Sequence, residues 1–356
     1  MAESASKRLK TSGSSGLAIG THNGHFHADE ALAVYMLRQL PAYRDAALVR
    51  TRDPALLETC HTVVDVGGEY DAAKNRYDHH QRTFTTTFPG RQTKLSSAGL
   101  VYLHFGRALV AQQLEGKHAE DSEEVGLLWN KLYESFIEAL DAHDNGISAY
   151  DPAAIAAAGL EKRFSTGAFT LGAMVGRLNP NWNDPTPSDP AAAQAAEDAR
   201  FVEASERIGT EFSRDLEFYC KAWMPARDIV QAAYNKRLEY DPEGRVMVLE
   251  GQSVPWKDHL YTLEDAEGNL DKKVLYVLYA EKPVPDAKWR IQCVPETSNS
   301  FQSRKPLPEP WRGARDEALD AITGIPGGVF VHAAGFIGGN KTFEGAKDMA
   351  VKALTM

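Results

Sequence analysis

Four short stretches of this chain place histidine and aspartate at the ends of apolar or helical runs, and they constrain the fold more than any other feature. "GLAIGTH" (16–22) leads into "THNGHFHADE", which carries His22, His25, His27, Asp29 and Glu30. "TVVDVGG" (62–68) ends its apolar run at Asp65, with glycines after it. Asp78, His79 and His80 lie side by side in "RYDHHQ" (76–81). Asp141, His143 and Asp144 close a helical stretch in "LDAHDNG", where Asn145-Gly146 is a helix stop. Between these, "ALAVYMLRQL" (31–40) has helical spacing and "AALVRTRD" (46–53) reads as a second strand. Strand, helix, strand, strand with short connections predicts an α/β domain with a mainly parallel sheet. Ligands of such sheets bind outside the carboxyl ends of the strands. The clusters are therefore expected to meet there, with the helix end closing the site.

Further along, helices are expected over about 96–115 and 121–143. Residues 151–226 read as largely helical, broken by "NPNWNDPTPSDP" (179–190). After "MPARD" the pattern changes to strands at "RVMVLE", "KVLYVLYA" and "KWRIQCVP". The final stretch reads as a strand, a glycine-rich loop and a terminal helix. The expected organisation is a tail over 1–16, an α/β domain carrying the clusters over 17–150, a helical connecting region over 151–226, and a smaller α/β domain over 227–356. Trp182, Phe201, Phe212, Tyr219 and Trp223 in the connecting region belong either to intradomain core or to the face of a homodimer, with core preferred.

With 356 residues, 43% hydrophobic and 25% charged, the chain has the composition of a soluble globular protein. No apolar run reaches membrane-span length, so no membrane partner is expected. The three cysteines, Cys60, Cys220 and Cys293, have no close pairing. That excludes a disulfide framework or thiolate zinc site and fits a reducing, intracellular compartment. The Ser/Gly-rich tail reads as disordered, with no secretory apolar region. Its "KRLK" fits part of a nuclear import signal, a poor transit peptide, or a plain solvated tail. The net charge of −10 gives no global attraction for nucleic acid. A polyanionic substrate therefore needs bound cations or a local basic cleft.

Nine of the eleven histidines fall before residue 144. Imidazole and carboxylate without thiolate suit Mn²⁺, Fe²⁺ or Zn²⁺. Four to six such groups are too many for one ion with open positions. They suit two ions sharing a bridging carboxylate, about 3.5–4 Å apart, an arrangement used to activate water against phosphorus. Neighbouring side chains diverge, so in the Asp-His-His run one histidine can hold metal while the other faces substrate and Asp78 supports both. His61, His104, His118 and His259 are read as structural, and Asp45 and Asp71 as turn or cap residues.

In the last domain, "VFVHAAGFIGGNKTF" (329–343) offers Gly335, Gly338 and Gly339 for close backbone approach to a phosphate. Lys341, Thr342 and a following helix N-terminus add to it, with His332 as a further contact. "NSFQSRKPLPEPWRG" (299–313) sets Arg304, Lys305 and Arg312 among aromatics, with Phe301 or Trp311 available for base stacking.

"THNGHFHADEALA", "VVDVGGEYD", "YDHHQ" and "DAHDNGI" resemble, in order and spacing, the motifs of the Myg (melanocyte-proliferating-gene) family, within the DHH phosphoesterase superfamily. The resemblance extends from about residue 17 to the C-terminus. It implies a DHH-type fold and a metal-dependent 3′→5′ exonuclease of single-stranded RNA, acting in nucleus and mitochondrion. By position, it makes His22 and His27 ligands of one ion, Asp29 a ligand of the second, and Asp65 the carboxylate bridging both. His79 is then the metal-binding histidine of the triplet, and His80 faces the scissile phosphate. The fourth-motif aspartate is Asp144 or Asp141. His27 stands where the superfamily usually has an aspartate, which favours Mn²⁺, Fe²⁺ or Zn²⁺ over Mg²⁺, Mn²⁺ first. His25, close by, is an alternative ligand. Arg304 and His80 are expected to stabilise charge on the phosphoryl oxygens. The rival readings are a small-molecule phosphoesterase or pyrophosphatase on the same site, and an RNA-binding protein that has lost catalysis.

Overall fold

A computed structural model describes residues 16–268, 273–298 and 300–356. Apart from Gly16, the expected tail lies outside them. The chain divides into two compact units between Cys220 and Lys221. The helical stretch from 151 to 220 thus falls within the first unit, and α-helical packing explains why.

The first unit opens with β1 (Ala18–Thr21), α1 (Ala28–Gln39), β2 (Ala47–Arg50), α2 (Pro54–Glu58), β3 (Thr62–Val64), β4 (Tyr70–Asp71) and β5 (Arg76–Tyr77). Its five-stranded sheet has the order β2-β1-β3-β5-β4. β1 is parallel to β2 and β3, β3 is parallel to β5, and only β4 runs antiparallel, to β5. The mainly parallel sheet expected from the sequence is present. The chain leaves β1 toward β2 on one side and returns to β3 on the other, so the order reverses between β1 and β3. Such a reversal opens a crevice at the strands' carboxyl ends. His22 follows β1 there and Asp65 follows β3.

Helices α3 (Ser97–Gln113), α4 (Glu123–Leu132) and α5 (Glu138–Asp144) follow, with a π-helical turn over Tyr133–Ile137 between the last two. Then come α6 (Pro152–Ala157), α7 (Leu171–Gly176) and α8 (Pro190–Phe218). Every residue of α1 from Ala28 to Leu37 is buried, because α3 and α8 both pack on it. A helix covered on all sides needs no polar face, which accounts for its weak amphipathicity. Gly209 lets α8 lie across Tyr35: a Cβ there would stand 2.1 Å from the ring. Tyr35 Oη and Ser213 Oγ, 2.9 Å apart, and the bond from Ser205 Oγ to Ala31 O fix the same contact. Phe201 and Phe212 are fully buried, so the core reading holds for them, whereas Trp182 is exposed.

The second unit contains α9 (Met224–Asn235), β6 (Val246–Gln252), α10 (Lys257–Glu267), β7 (Tyr276–Ala280), β8 (Trp289–Cys293), α11 (Asp316–Thr323), β9 (Gly328–Val331), β10 (Ile337–Asn340) and α12 (Phe343–Leu354). Its sheet has the order β6-β7-β8-β10-β9, with β6 parallel to β7 and the remaining pairs antiparallel. Val246 and Val248 pack on one face with Leu319 and Met349, while Met247 and Leu249 pack on the other with Val230 and Leu260. Apolar residues at every position are what a strand covered on both faces requires. Among the described residues, no helix is long and apolar enough to cross a membrane.

Candidate metal centre

Local sequence explains how each cluster is aimed. His27 is the N-cap of α1, and its N–H donates to Glu30 Oε1 at 2.8 Å. Glu30 is thereby folded back toward the loop. Its other oxygen is buried and makes no hydrogen bond. Asp65 directly follows β3 with φ of +57°, and Gly67 and Gly68 are also at positive φ. The bend brings the Gly68 N–H to Asp78 Oδ2 at 2.6 Å. Asp78 Oδ1 accepts from the His80 N–H at 3.1 Å and pairs with His80 Nδ1 at 2.6 Å. Although burial works against it, these bonds from the His80 ring and the two amides hold the Asp78 carboxyl below its usual range. Asp78 thus braces His80, one of the two histidines it was expected to support, and makes no bond to the His79 ring.

The clusters converge on Asp65, whose two oxygens face different partners. Oδ2 lies 3.4 Å from His22 Nε2, while Oδ1 lies 3.5 Å from His79 Nε2 and 3.6 Å from His80 Nδ1. His22, His27, Glu30 and Asp65 place ligand atoms close enough to hold one ion. Asp65 with His79 and His80, and Asp29 with His79 and Asp144, do the same on the other side. His79 Nε2 is 3.1 Å from Asp144 Oδ2 and 4.0 Å from Asp29 Oδ2. His25 is exposed and joins none of these groups.

Asp144 and Asp141, alternatives in sequence, differ plainly in structure. Asp144 faces His79. Asp141 is fully buried and accepts from Ser96 N at 2.9 Å, Ser96 Oγ at 2.7 Å and Tyr133 Oη at 2.9 Å. Burial outweighs those bonds and pushes its carboxyl up to about 7. Ser96 Oγ also lies 2.5 Å from Asp29 Oδ1, and one hydroxyl proton cannot serve both oxygens, so a proton on one carboxyl completes the pair. Asp29 also accepts from the N–H groups of Ser97 and Ala98 at the N-terminus of α3, where helix geometry favours an anion.

The residues fit a divalent cation. Both ring nitrogens of His79 and Glu30 Oε2 are buried without hydrogen bonds, a costly state that a cation relieves. Asp29 and Glu30 are pushed above the usual carboxylate range by burial and by the charge of Asp65. For His22 and His79, burial lowers the affinity for a proton. The carboxylates beside them outweigh that and push both up to about 10. Each cation-binding group holding a proton marks a place where positive charge is favoured.

Several residues of the site were not assigned from sequence. Glu30 stood in the first cluster but was not taken as a ligand; its position three after His27 is a capping-box signal that could have found it. Ser96 precedes a helix in N-cap position, yet nothing in "SSAGL" announces that it touches two carboxyls. Arg52 is exposed, with Nη2 at 3.3 Å from His22 Nδ1. Arg50 is buried, donating to Glu197 Oε1 and Gly24 O, each at 2.8 Å. Asn179 grips the backbone between His25 and His27, accepting from Phe26 N–H at 3.0 Å and donating to Phe26 O at 2.8 Å. Only folding joins Asn179, 153 positions from Phe26, to the ligand loop.

The second unit revises the expected substrate contacts. Gly338 and Gly339 lie inside β10, paired with β8 and β9, so their backbone serves the sheet rather than a phosphate. A Cβ at Gly339 would stand 2.5 Å from the Arg290 guanidinium, which explains the glycine. Gly335 forms the turn between β9 and β10, its N–H donating to His332 O at 2.8 Å. The Thr342 hydroxyl caps α12. Arg304 forms a bidentate pair with Glu264 at 2.8 and 2.7 Å and donates to Val274 O, so its charge is already matched. Trp311 is fully buried and cannot stack on a base. Phe301, His332 and Lys341 are exposed, and Lys305 is half-buried. Lys341 lines a cavity of about 560 Å³, but Glu250, Asp286 and Glu344 line it too, a balance unfavourable to phosphate.

Residues 18–354 match the model of the MYG1 exonuclease family, described as an uncharacterised protein family (UPF0160). The human MYG1 exonuclease is 52% identical over 338 residues, covering 93% of this chain and 84% of the relative. A MYG1 protein of Caenorhabditis elegans is 46% identical, covering 94% of each chain. One from Saccharomyces cerevisiae is 44% identical, covering 98% of each. No solved structure matches. With this coverage and a clustered histidine–carboxylate centre, the chain is a hydrolase of the exonuclease kind and belongs to the MYG1 exonuclease family.

Proposed function

We propose that this enzyme removes nucleoside monophosphates from the 3′ end of single-stranded RNA, using two divalent cations, Mn²⁺ foremost. The observation that carries the two-ion reading is Asp65, whose two oxygens are divided between His22 on one side and His79 with His80 on the other. His22, His27 and Glu30 would hold one ion, and Asp29, His79 and Asp144 the other. When bound, such ions lower the pKa of water and neutralise charge on phosphoryl oxygens. No strong side-chain base is then required.

The remaining roles fall to the chain itself. Asp78 orients His80, and their hydrogen bond, opposed by burial, raises the imidazole above its ordinary value. His80 is the exposed member of the pair and presents a proton to the phosphoryl group. Arg52 supplies a cation beside His22, the part first expected of Arg304. The RNA substrate and the 3′→5′ direction rest on the family resemblance, and the relatives' name supports the exonuclease reading.

The test is a time course on 5′-labelled single-stranded RNA with Mn²⁺, beside His79→Ala. A descending ladder from the wild type alone is the expected result. Cleavage of pyrophosphate or small diesters but not of RNA would overturn the substrate assignment. Equal cleavage by both proteins would overturn the site.

A further inference from the structure

We propose that residues 147–182 of the first unit form the surface on which the bases of single-stranded RNA stack before the terminal phosphodiester enters the metal centre. This rests on the RNA reading above. Phe164, Phe169 and Trp182 are 73%, 95% and 96% exposed. A single exposed ring is ordinary, but these three, with Tyr150 at 74% as a fourth in the same segment, mark an interaction surface. Lys162 and Arg163 directly precede Phe164, and Arg177 follows Phe169. Against Asp151 and Glu161, these three cations leave the segment at +1 in a chain of net charge −10. Rings interleaved with cations are the means by which proteins hold single strands without reading sequence.

The segment is joined to the metal centre at both ends. It begins just after Asp144. On α7, a Cβ at Gly172 would stand 3.0 Å from the ring of His143, the residue before Asp144. Near its far end, Asn179 holds both backbone groups of Phe26, between His25 and His27. The 3₁₀ turn Gly167–Phe169 packs on α7, so Phe169 rides on an element seated against the centre. A second copy of the chain fits this surface less well. Between copies, a stable interface needs a closely packed apolar core. Here Val175 turns inward, Lys162 and Arg163 precede Phe164, and Arg177 separates Phe169 from Trp182.

The test uses Phe164→Ala, Phe169→Ala, Trp182→Ala and the triple variant in the full chain. None of these side chains belongs to the metal centre. Two substrates are compared with Mn²⁺: single-stranded RNA of about ten nucleotides, within the range such surfaces span, and bis(p-nitrophenyl) phosphate, which has no base to stack. KM for RNA is expected to rise about tenfold per ring removed, with hydrolysis of the small diester unchanged. An unchanged KM for RNA in the triple variant, with the wild type degrading RNA, would overturn this surface and leave the proposed function standing. A wild type that hydrolyses the small diester but neither binds nor cleaves RNA would remove both. Parallel loss of small-diester hydrolysis would make the rings structural. Conversion of a dimer to a monomer without change in KM would make them a contact between copies, and either result overturns the proposal.

Discussion

Asp65 shapes the candidate metal centre through its backbone as well as its side chain. Its φ of +57° is uncommon for a residue other than glycine, although aspartate tolerates it better than most. Asp144 and Asp141 show how burial divides two nearby carboxylates into different jobs. Asp144→Asn should cut activity at least about a hundredfold, since even outer-sphere partners of metal ligands are worth 10–100-fold, while leaving the melting temperature in place. Asp141→Ala should instead cost about 1–3 kcal/mol of stability by orphaning Ser96 and Tyr133. Urea unfolding and Mn²⁺ titration of both variants check this, and exchanged phenotypes would contradict it. His22 and His79 make a second prediction. A histidine must lose its proton to ligate metal. Metal-free, both keep theirs until pH reaches about 10. Mn²⁺ affinity should therefore rise with pH up to that point and level off above it. Calorimetry at neutral pH, in buffers of different ionisation enthalpy, should find at least two protons released per chain filled, from His22 and His79, with any held by Asp29 and Glu30 adding to them. No proton release would refute the assignment.

At the scale of elements, the packing of α8 on α1 holds the ligand loop, because α8 carries Glu197, which binds Gly24 N–H and Arg50. Gly209→Ala would drive a Cβ into the Tyr35 ring and should cost about 1–3 kcal/mol. Adding Tyr35→Ala should recover part of that loss, a non-additivity that denaturant unfolding can measure. The parallel sheet was legible in sequence because β1, β2 and β3 are apolar runs that end in polar clusters. β4 and β5 were not, being two residues each and too short for any period to show. The residues that gather around Asp65 were legible because they stand in short motifs where histidine and carboxylate concentrate: His22, His27, Asp29 and His79. Arg50, Ser96 and Asn179 were not, because their meaning lies in distant partners. The glycines of "IGGN" misled for a related reason. A glycine that lets strands approach Arg290 and one that admits a phosphate look alike in sequence.

For the molecule as a whole, net charge −10 means that RNA is attracted only locally. The cations named at Arg52, Lys162, Arg163 and Arg177 predict about four phosphate contacts. The logarithm of RNA affinity should then fall against the logarithm of salt with a slope of about −3, at about −0.7 per contact for single strands. A slope several times steeper would contradict this set of contacts. The central claim is that one aspartate unites two cation sites. The most direct measurement is the Mn²⁺ content of the purified chain, read together with its electron paramagnetic resonance spectrum, in wild type and Asp65→Asn. Two ions per chain with an exchange-coupled spectrum, lost on substitution of Asp65, is the predicted result. One ion per chain, or a pair of uncoupled ions indifferent to Asp65, would contradict the account.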